Sequence, residues 1–420
     1  MLRCGLDQFQ GRRVLLLQGP VGPFFARLAQ DLHQAGAQVF KVNFNAGDWF
    51  YYPRGAINYR GTMEDWPNWL DDLIHRLDID VVYLFGDCRP IHLAASFVVS
   101  QYQIEIGVFE EGYVRPDYVT LERFGVNGFS RRSRDPDDYL DEPAMPKRRA
   151  VGNAYWTMVR CSFWYFLMGS LGKPWFRHYR HHRPLSLLEA LPWLRSVWRK
   201  QWYRWVERDA QKNLTGPGRS PFFLVPLQVH NDAQISNHSD FEAVEHFIED
   251  TLQSFAKHAP ANALLVFKHH PMDRGYRDYT ALIKRLTQPL GMARRVHYIH
   301  DQHLPTLLDH ACGVVVVNST VGLSALYHGA PTKVCGNALY DIPGLCYQGT
   351  LDQFWHAAPS AKPNPLLFKR FQDHLIAKTQ LNGSFYKPFN LPGSWAGLIW
   401  SAAKEPAQRM ADDSGAHFLD

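Results

Sequence analysis

The sequence predicts an α/β protein with two Rossmann-like domains that face each other across a cleft. Three observations support this fold class. In both halves of the chain, short apolar runs alternate with segments of helical periodicity, the pattern of parallel sheets with crossover helices. Glycines and polar residues follow these runs, at the strand ends where α/β proteins bind ligands. The 420 residues are enough for two domains of ordinary size.

The order of these patterns divides the chain into four segments. We predict a first Rossmann-like domain over residues 1–150 and a second over residues 216–380. A helical connector rich in aromatic and basic residues is expected between them, over residues 151–215. Residues 381–420 are expected to form a C-terminal tail. Each Rossmann-like domain should therefore contribute one wall of the cleft.

The composition favours a cytoplasmic protein. The net charge of +5 is modest, and 46% hydrophobic residues allow large cores. The six cysteines are scattered without a C-x-x-C spacing, which argues against a disulfide framework and against a zinc site. The first residues contain no apolar segment of the kind that a secretory signal requires.

The first half is predicted to open with a strand, a loop with two glycines, a helix and a second strand. Its predicted elements are strands at 13–17, 38–42, 80–85 and 103–111, and helices at 24–35, 66–77 and 92–102. Gly19 and Gly22 in the first loop are expected to line the cleft. The loop lacks the G-x-G-x-x-G spacing, and its two prolines remove amide donors. We therefore exclude a nicotinamide or flavin site.

The last strand of this half ends in two adjacent acids, Glu110 and Glu111, followed by a glycine. Acids at the carboxyl end of a strand are poised to meet a ligand, so both are candidate catalytic residues. Because adjacent strand residues point to opposite faces, we expect only one of them to enter the cleft. Asp87 and Arg115 are expected to line the same edge. The alternative is a strand that ends in an ordinary acidic turn.

The connector differs in composition from the rest of the chain. Between residues 154 and 207 it contains seven of the 13 tryptophans, interleaved with nine arginines and lysines. The apolar run at 161–171 is too short to span a bilayer. Three interpretations are open: a surface at the membrane interface, an aromatic helical pair between the domains, and a nucleic-acid surface. The histidines at 178, 181 and 182 lack neighbouring acids and cysteines, so we assign them to the basic face rather than to a metal.

The second half repeats the alternation of strands and helices. Its predicted elements are strands at 221–228, 263–267, 297–299, 312–317 and 332–335, and helices at 241–256, 279–286 and 319–327. Three of these strands are followed by polar clusters that contain, in chain order, Gln228 and Asp232, Lys268 and His270, and Ser319 and Thr320.

Two of the clusters suit an anion. Lys268 and His270 bring positive charge and donors to a strand end, and Ser319 and Thr320 stand where a helix begins and its amides are free. The alternatives are an ordinary turn and an ordinary N-cap. Because both clusters lie at strand ends of one domain, we predict a phosphate site. The sequence has no G-x-x-x-x-G-K-[ST] loop and no acid cluster suited to magnesium, so we expect neither a metal nor a cofactor.

Four motifs, in the same order along the chain, resemble the KpsS/LipB family of capsule polysaccharide proteins. They read QGPVGPFF at 18–25, FEEGYVRP at 109–116, PLQVHNDAQ at 226–234 and LNGSFY at 381–386. The combination of acid-acid-Gly, His-Pro and a Ser/Thr pair is also similar to bacterial sialyltransferase-like enzymes that use CMP-sugars. The resemblance covers nearly the whole chain and implies a GT-B-like fold.

The resemblance implies a retaining β-Kdo transferase. The donor would be CMP-β-Kdo and the acceptor (lyso)phosphatidylglycerol, so that the product starts the poly-Kdo linker of a capsule. Glu111 matches the catalytic acid of the family motif, and the second Rossmann-like domain would bind CMP-Kdo. Five residues of this domain match or adjoin the family's donor motifs: Gln228, Asp232, His270, Ser319 and Thr320. Lys268 precedes the motif that contains His270.

The same resemblance implies partners and a location. We expect the protein to lie on the inner membrane from the cytoplasmic side and to work with a second capsule Kdo transferase and with the capsule export machinery. A nucleic-acid partner is not expected. Two rival functions are a non-catalytic export or scaffold protein and a GT-B enzyme for another nucleotide sugar.

This sequence departs from the related enzymes in two places. The chain has Glu-Glu-Gly where related two-module capsule enzymes have Glu-Asp-Gly, and the extra methylene leaves open whether Glu111 acts as nucleophile or base. Residues 322–326 also contain no glutamate of the kind that many GT-B enzymes use to bind ribose.

Overall fold

The chain folds into two β-sheets, each covered by helices, in a computed structural model that describes residues 5–181, 185–186 and 190–400. The first sheet has seven strands and the second has five. All contacts between neighbouring strands of the second sheet are parallel, and the first sheet is parallel except at one edge. This confirms the predicted α/β class with two Rossmann-like sheets.

The strands are short and mostly buried. In chain order they are β1 Arg13–Leu16, β2 Gln38–Asn43, β3 Ala56–Asn58, β4 Val81–Phe85, β5 Glu105–Glu111, β6 Tyr118–Arg123, β7 Phe222–Pro226, β8 Leu264–Lys268, β9 Val296–Ile299, β10 Gly313–Val316, β11 Thr332–Val334 and β12 Gln380–Asn382. The first sheet has the order β12-β6-β5-β4-β1-β2-β3, and the second has the order β11-β10-β7-β8-β9.

The helices of the described chain connect these strands or cover the sheets. In chain order they are α1 Phe24–Gln34, α2 Ala46–Tyr51, α3 Trp66–Leu77, α4 Pro90–Ser100, α5 Tyr155–Leu171, α6 Ala190–Val206, α7 Ala210–Thr215, α8 Ala233–Asn237, α9 Val244–His258, α10 Thr280–Thr287, α11 Leu304–His310, α12 Val321–Tyr327, α13 Leu351–Ala357 and α14 Pro365–Thr379. In the part of the chain that the structure describes, we find no helix with the length and apolar character needed to cross a bilayer.

The two faces of the first sheet bury different helices because side chains alternate along each strand. Val14, Leu16 and Phe109 pack with Phe24 and Leu28 of α1 on one face. On the opposite face, Leu15, Val82 and Val108 pack with Trp66 of α3 and Ala95 of α4. This alternation decides where the two acids at the end of β5 point.

The connector is divided between the two sheets. On α5, Tyr165 Oη donates to Asp48 Oδ1 of α2 over 3.0 Å, and the backbone oxygen of Cys161 accepts from Tyr51 Oη over 2.9 Å. On α6, Arg195 Nε donates to the carbonyl of Gly275 over 2.6 Å, so this helix lies against the second half. His182, which the sequence analysis assigned to the basic face, and Arg183, one of the nine basic residues of the connector, lie outside the described residues.

The segment predicted as a C-terminal tail packs against the first sheet. Its first residues, with Gln380, form β12, which pairs antiparallel with β6 and covers the edge of that sheet. Leu381, Phe385 and Leu398 are buried in the same core as α1. The Asp31 carboxylate of α1 also accepts from the amides of Trp395 and Ala396. Residues 401–420 lie outside the described residues.

Helix α14 falls within the predicted second domain but returns to the first half. Phe371 packs edge-on against Tyr139, with ring centroids 5.2 Å apart, and His374 contacts the same ring. The chain therefore crosses back to the first sheet before β12 begins.

Candidate active site

The two acids that end β5 point to opposite faces of the first sheet, as the alternation of the strand predicts. Glu110 stands opposite Thr120 of β6, and Glu111 stands opposite Val119. Glu110 shares its face with Val108 and Glu111 shares its face with Phe109. The two carboxylates therefore have different neighbours.

Glu110 lies beside the end of β4. Its Oε1 accepts from the amide of Glu111 over 2.9 Å, and Gly86 lies beside its carboxylate, because a Cβ there would be in ordinary contact with Oε2 at 3.4 Å. Burial raises the pKa of Glu110 to about 7, and the charges of Glu111 and Asp87 add to this while the Arg89 guanidinium opposes it. Glu110 can therefore take up or release a proton near neutral pH.

Glu111 lies beside the C-terminal segment. Tyr386 Oη donates to Glu111 Oε1 over 3.3 Å. Burial raises the pKa of Glu111, but the Arg115 guanidinium and the Tyr386 hydroxyl both stabilise the ionised form. Arg115 is itself oriented by a hydrogen bond from its Nε to the carbonyl of Gly112 over 3.2 Å.

The ends of β1 and β4 supply a polar network that the sequence analysis missed. Arg89 Nη1 donates to Gln18 Oε1 over 2.8 Å, and Gln18 Nε2 donates to Tyr179 Oη over 2.8 Å and to Asp48 Oδ2 over 3.1 Å. Gln18 belongs to the first family motif. The sequence predicted that the glycines of this loop line the cleft but gave no role to the Gln18 side chain. Tyr386 was likewise part of a quoted motif without an assigned role.

The glycines near the acids are explained by packing within the protein. A Cβ at Gly19 would lie 2.8 Å from the ring of Phe25, and one at Gly22 would lie 3.1 Å from Cys161 Sγ. A Cβ at Gly112 would lie 2.2 Å from the carbonyl oxygen of Tyr118. Gly19 and Gly22 border a cavity of only about 20 Å³, which is too small for a nucleotide.

Asp87 supports the loop after β6. This residue is 2% exposed, and its Oδ2 accepts from the amide of Val126 over 2.7 Å. Burial raises the pKa of the Asp87 carboxyl, and hydrogen bonds with Val126 and Cys88 oppose this. Asp87 therefore lies buried near the candidate acid Glu110 and does not line an open surface.

In the second half, Gln228 joins two strand ends. Its Nε2 donates to Asp232 Oδ2 and to Asn318 Oδ1, both over 3.0 Å. Asp232 also accepts from the amide of Gln234, so it caps α8. The ends of β7 and β10 are thus held together, and Asn318 directly precedes the Ser319-Thr320 pair.

Ser319 and Thr320 lead into α12, where the sequence placed them. Ser319 Oγ accepts from the amide of Val321 over 3.2 Å, and the Ser319 carbonyl accepts from Tyr340 Oη. Thr320 makes no side-chain capping bond to the helix. Both hydroxyls lie at the carboxyl edge of the second sheet.

The cluster after β8 splits between two environments. His270 caps the short 3-10 helix Pro271–Asp273, because its Nδ1 accepts from the amide of Met272 over 3.2 Å. Lys268 is 7% exposed, and burial lowers the pKa of its ammonium while the Asp301 carboxylate opposes this. The charge of Lys268 is therefore partly balanced by Asp301 of the same domain. His270 is more accessible to solvent than Lys268.

The two halves meet where β4 ends. Cys88 Sγ lies 3.3 Å from His238 Nε2 of the second half and 3.4 Å from Asp87 Oδ1. Among the described residues, these three could hold a metal ion. Burial, with a smaller effect of Arg134, lowers the pKa of His238 to about 4, so the imidazole is neutral and pairs with the thiol. Burial and the adjacent Asp87 carboxylate raise the pKa of the Cys88 thiol, and the charges of Glu110 and Asp232 add smaller effects.

Comparisons with known proteins agree with the motifs. The family model for capsule polysaccharide biosynthesis proteins matches residues 80–386. The capsule polysaccharide export protein KpsS of Escherichia coli is 45% identical over 380 residues, covering 90% of this chain and 97% of that protein. The capsule polysaccharide modification protein LipB of Neisseria meningitidis serogroup B is 39% identical over 391 residues, with coverage of 90% and 93%.

Among solved structures, KpsC of Thermosulfurimonas dismutans, a β-Kdo 2,7-transferase, aligns with 93% of this chain and 95% of its own, at 15% identity and a TM-score of 0.44. The family match and the two relatives confirm the resemblance stated from the four motifs. The chain therefore belongs to the family of capsule polysaccharide biosynthesis proteins.

Proposed function

We propose that the protein is a retaining β-Kdo transferase. It would move Kdo from CMP-β-Kdo to a (lyso)phosphatidylglycerol acceptor and so start the linker of a capsular polysaccharide. One observation carries this proposal: at the end of β4, next to Glu110, Cys88 Sγ lies 3.3 Å from His238 Nε2 of the second half. Glu110 therefore lies near the half that carries the candidate donor site, and Glu111 ends the same strand on its other face.

The donor chemistry suits the residues of the second half. The leaving group is CMP, a phosphate monoester that is stable as an anion, so its departure needs cations and hydrogen-bond donors more than a proton or a metal. His270, Ser319 and Thr320 would supply these contacts at the strand ends. Gln228 and Asp232, which are hydrogen-bonded to each other, would form a polar wall of the site, and the buried Lys268 would add positive charge behind it.

The two acids would divide the catalytic work. Glu111, whose ionised form is favoured by Arg115 and Tyr386 against the effect of burial, would attack the anomeric carbon as CMP leaves and form a covalent sugar adduct. Glu110, on the other face of β5 and with a pKa of about 7, would take up the proton of the acceptor hydroxyl through intervening water as that oxygen displaces Glu111. Two displacements at one carbon retain its configuration. Environments that separate two carboxyl groups in this way are typical of acid–base pairs.

The protein would catalyse the first step in the assembly of the capsule linker. It would act at the cytoplasmic face of the inner membrane, where the lipid acceptor is found. Its glycolipid product would pass to a second capsule Kdo transferase and then to the capsule export machinery.

A second candidate is a non-catalytic export protein, since the relative from Escherichia coli carries the name of an export protein. A third is a transferase for another nucleotide sugar. Ligand-induced thermal stabilisation separates the three, because a ligand that binds only the folded state raises the unfolding midpoint. We expect CMP to stabilise the protein, and UMP and GDP to have little effect.

The variant His270→Ala should lose most of the CMP-induced shift in midpoint while its own midpoint stays close to that of the parent. The matched control is His246→Ala, a change on α9 away from the strand ends, which should keep the full CMP shift. Equal shifts with all three nucleotides would contradict a CMP-sugar donor. An unchanged shift in His270→Ala would remove this residue from the donor site.

A further inference from the structure

The connector carries an unusual helix. Along α6, the residues at positions 191, 194, 198, 202 and 205 share one face, because their spacings of three and four follow the helical repeat. We call these five residues the aromatic face; each is between 46% and 67% exposed, and they are Leu191, Leu194, Trp198, Trp202 and Trp205. An amphipathic helix of a globular protein normally buries such a face.

The side of α6 that contacts the protein is polar. Arg195 and Arg199 donate to the carbonyls of Gly275 and Arg274 over 2.6 Å and 2.9 Å, and the ring of Tyr203 stacks on His300. Cations therefore attach the helix to the second half, and the five residues of the aromatic face point outwards. Exposed apolar patches of this kind mark an interaction surface.

The neighbouring helix extends the same surface. Trp156, Phe163, Trp164 and Leu171 of α5 are also exposed, and Trp164 stacks on the exposed Phe50 of α2. The two helices are linked through Phe166 and Trp193, with ring centroids 5.9 Å apart. Tryptophan favours the level of the lipid headgroups, so a bilayer fits this surface.

A basic cavity of about 420 Å³ opens at the C-terminal end of α5. Its size is that of a small-ligand site. No acid is present among the described residues that line it, and its polar side chains are Asn45, Lys173, Arg177, Tyr179, Arg180 and His181. Phe176 and Leu185 complete the wall. A group of cations with an apolar wall suits a phosphate that is attached to an acyl chain.

The cavity is connected to the candidate active site. Tyr179 lines the cavity, and its hydroxyl contacts Gln18 over 2.8 Å. Gln18 in turn accepts from Arg89, which lies beside Glu110. Hydrogen-bonded side chains therefore join the wall of the cavity to the surroundings of Glu110.

We propose that this cavity binds the phosphate group of an anionic phospholipid while the aromatic face lies in the membrane interface. The inference rests on the proposed function only where the bound lipid is taken to be the acceptor. The chemistry of the cavity also suits a free phosphate, but the surrounding exposed tryptophans favour the lipid.

The test is co-sedimentation with vesicles of phosphatidylcholine alone or mixed with phosphatidylglycerol, using the full chain. We expect binding to the mixed vesicles, and about twenty-five-fold weaker binding for Arg177→Gln/Arg180→Gln, since each cation near an anionic surface contributes about fivefold. The matched control is Lys284→Gln/Arg285→Gln, which removes the same charge from the exposed side of α10 and should bind within about twofold of the parent. Equal weakening in both double variants would overturn the cavity as the site.

Two further arms separate the sources of the phosphate and the role of the tryptophans. Trp198→Ser/Trp202→Ser should lower binding to both kinds of vesicle, and unchanged binding would overturn the interfacial role of α6. Soluble glycerol phosphate should not compete with vesicles at millimolar concentration; tight competition would mean a free phosphate ligand. None of these arms uses a donor, so vesicle binding can fail while CMP still stabilises the protein, and the proposed function then stands.

Discussion

Replacing Glu111 by glutamine is expected to lower the rate of Kdo transfer by about a thousandfold or more, with CMP binding retained. Glutamine keeps the size of the side chain and can still accept from Tyr386, but it cannot attack the anomeric carbon. Removal of a nucleophile costs several powers of ten in rate, far more than lost packing does. The measurement is transfer from CMP-Kdo, generated in situ, to a fluorescent phosphatidylglycerol analogue.

The control for this variant is Glu105→Gln, at the other end of β5. Glu105 forms ion pairs with Arg12 and Arg123 and lies far along the strand from the cleft. The Glu105→Gln variant should transfer Kdo at a rate within a few-fold of that of the parent. Near-parental transfer by Glu111→Gln would mean that the acids are structural, and the export-protein interpretation would then take precedence.

Replacing Glu110 by glutamine is expected to stabilise the protein at alkaline pH. Burial raises the pKa of Glu110 from 4.5 to about 7. Below pH 4.5 the side chain is neutral in the folded and unfolded states and burial costs nothing. As the pH rises from 4.5 to 7 the unfolded state ionises while the folded state stays neutral, so folding stability falls by about 3 kcal/mol, and this loss is complete above pH 7; a neutral glutamine removes it.

The unfolding midpoint of Glu110→Gln should therefore exceed that of the parent by several degrees at pH 8 and equal it at pH 4.5. A difference that does not depend on pH, or a lower midpoint at pH 8, would contradict the raised pKa. In transfer assays the parent rate should rise as the pH passes 7, because the ionised Glu110 accepts the proton. The variant should be slow and lack this rise.

Much of the architecture follows from local patterns. The apolar runs at 80–85, 263–267 and 312–317 correspond to β4, β8 and β10, because a buried parallel strand needs a continuous apolar segment. The acids at the end of β5 and the hydroxyls before α12 lie where their strands end, which is a property of the nearby sequence alone.

The chemistry of the site depends on contacts that are distant in sequence. Tyr386 reaches Glu111 from 275 residues away. Gln18 meets Tyr179 across 161 residues, so its network had no local signal. Periodicity also gave no indication that the C-terminal segment would cover β6, or that Lys268 would be buried beside Asp301.

The orientation of α6 in the connector also depends on contacts that are distant in sequence. Its composition raised three alternatives, and no pattern in the sequence separates a buried aromatic face from an exposed one. The hydrogen bonds of Arg195 and Arg199 decide the orientation of α6, and their partners lie about 75 to 80 residues further along the chain.

The most direct test of the proposed activity is transfer by the unaltered protein. CMP-Kdo is generated in situ with a fluorescent phosphatidylglycerol analogue, and the lipid product is analysed by mass spectrometry and by the configuration of its new linkage. We predict a lipid that carries β-linked Kdo and that does not form when CMP-Kdo is replaced by a UDP- or GDP-sugar. A lipid that stays unmodified with CMP-Kdo, under conditions in which CMP stabilises the folded protein, would contradict the proposal that this protein is a Kdo transferase.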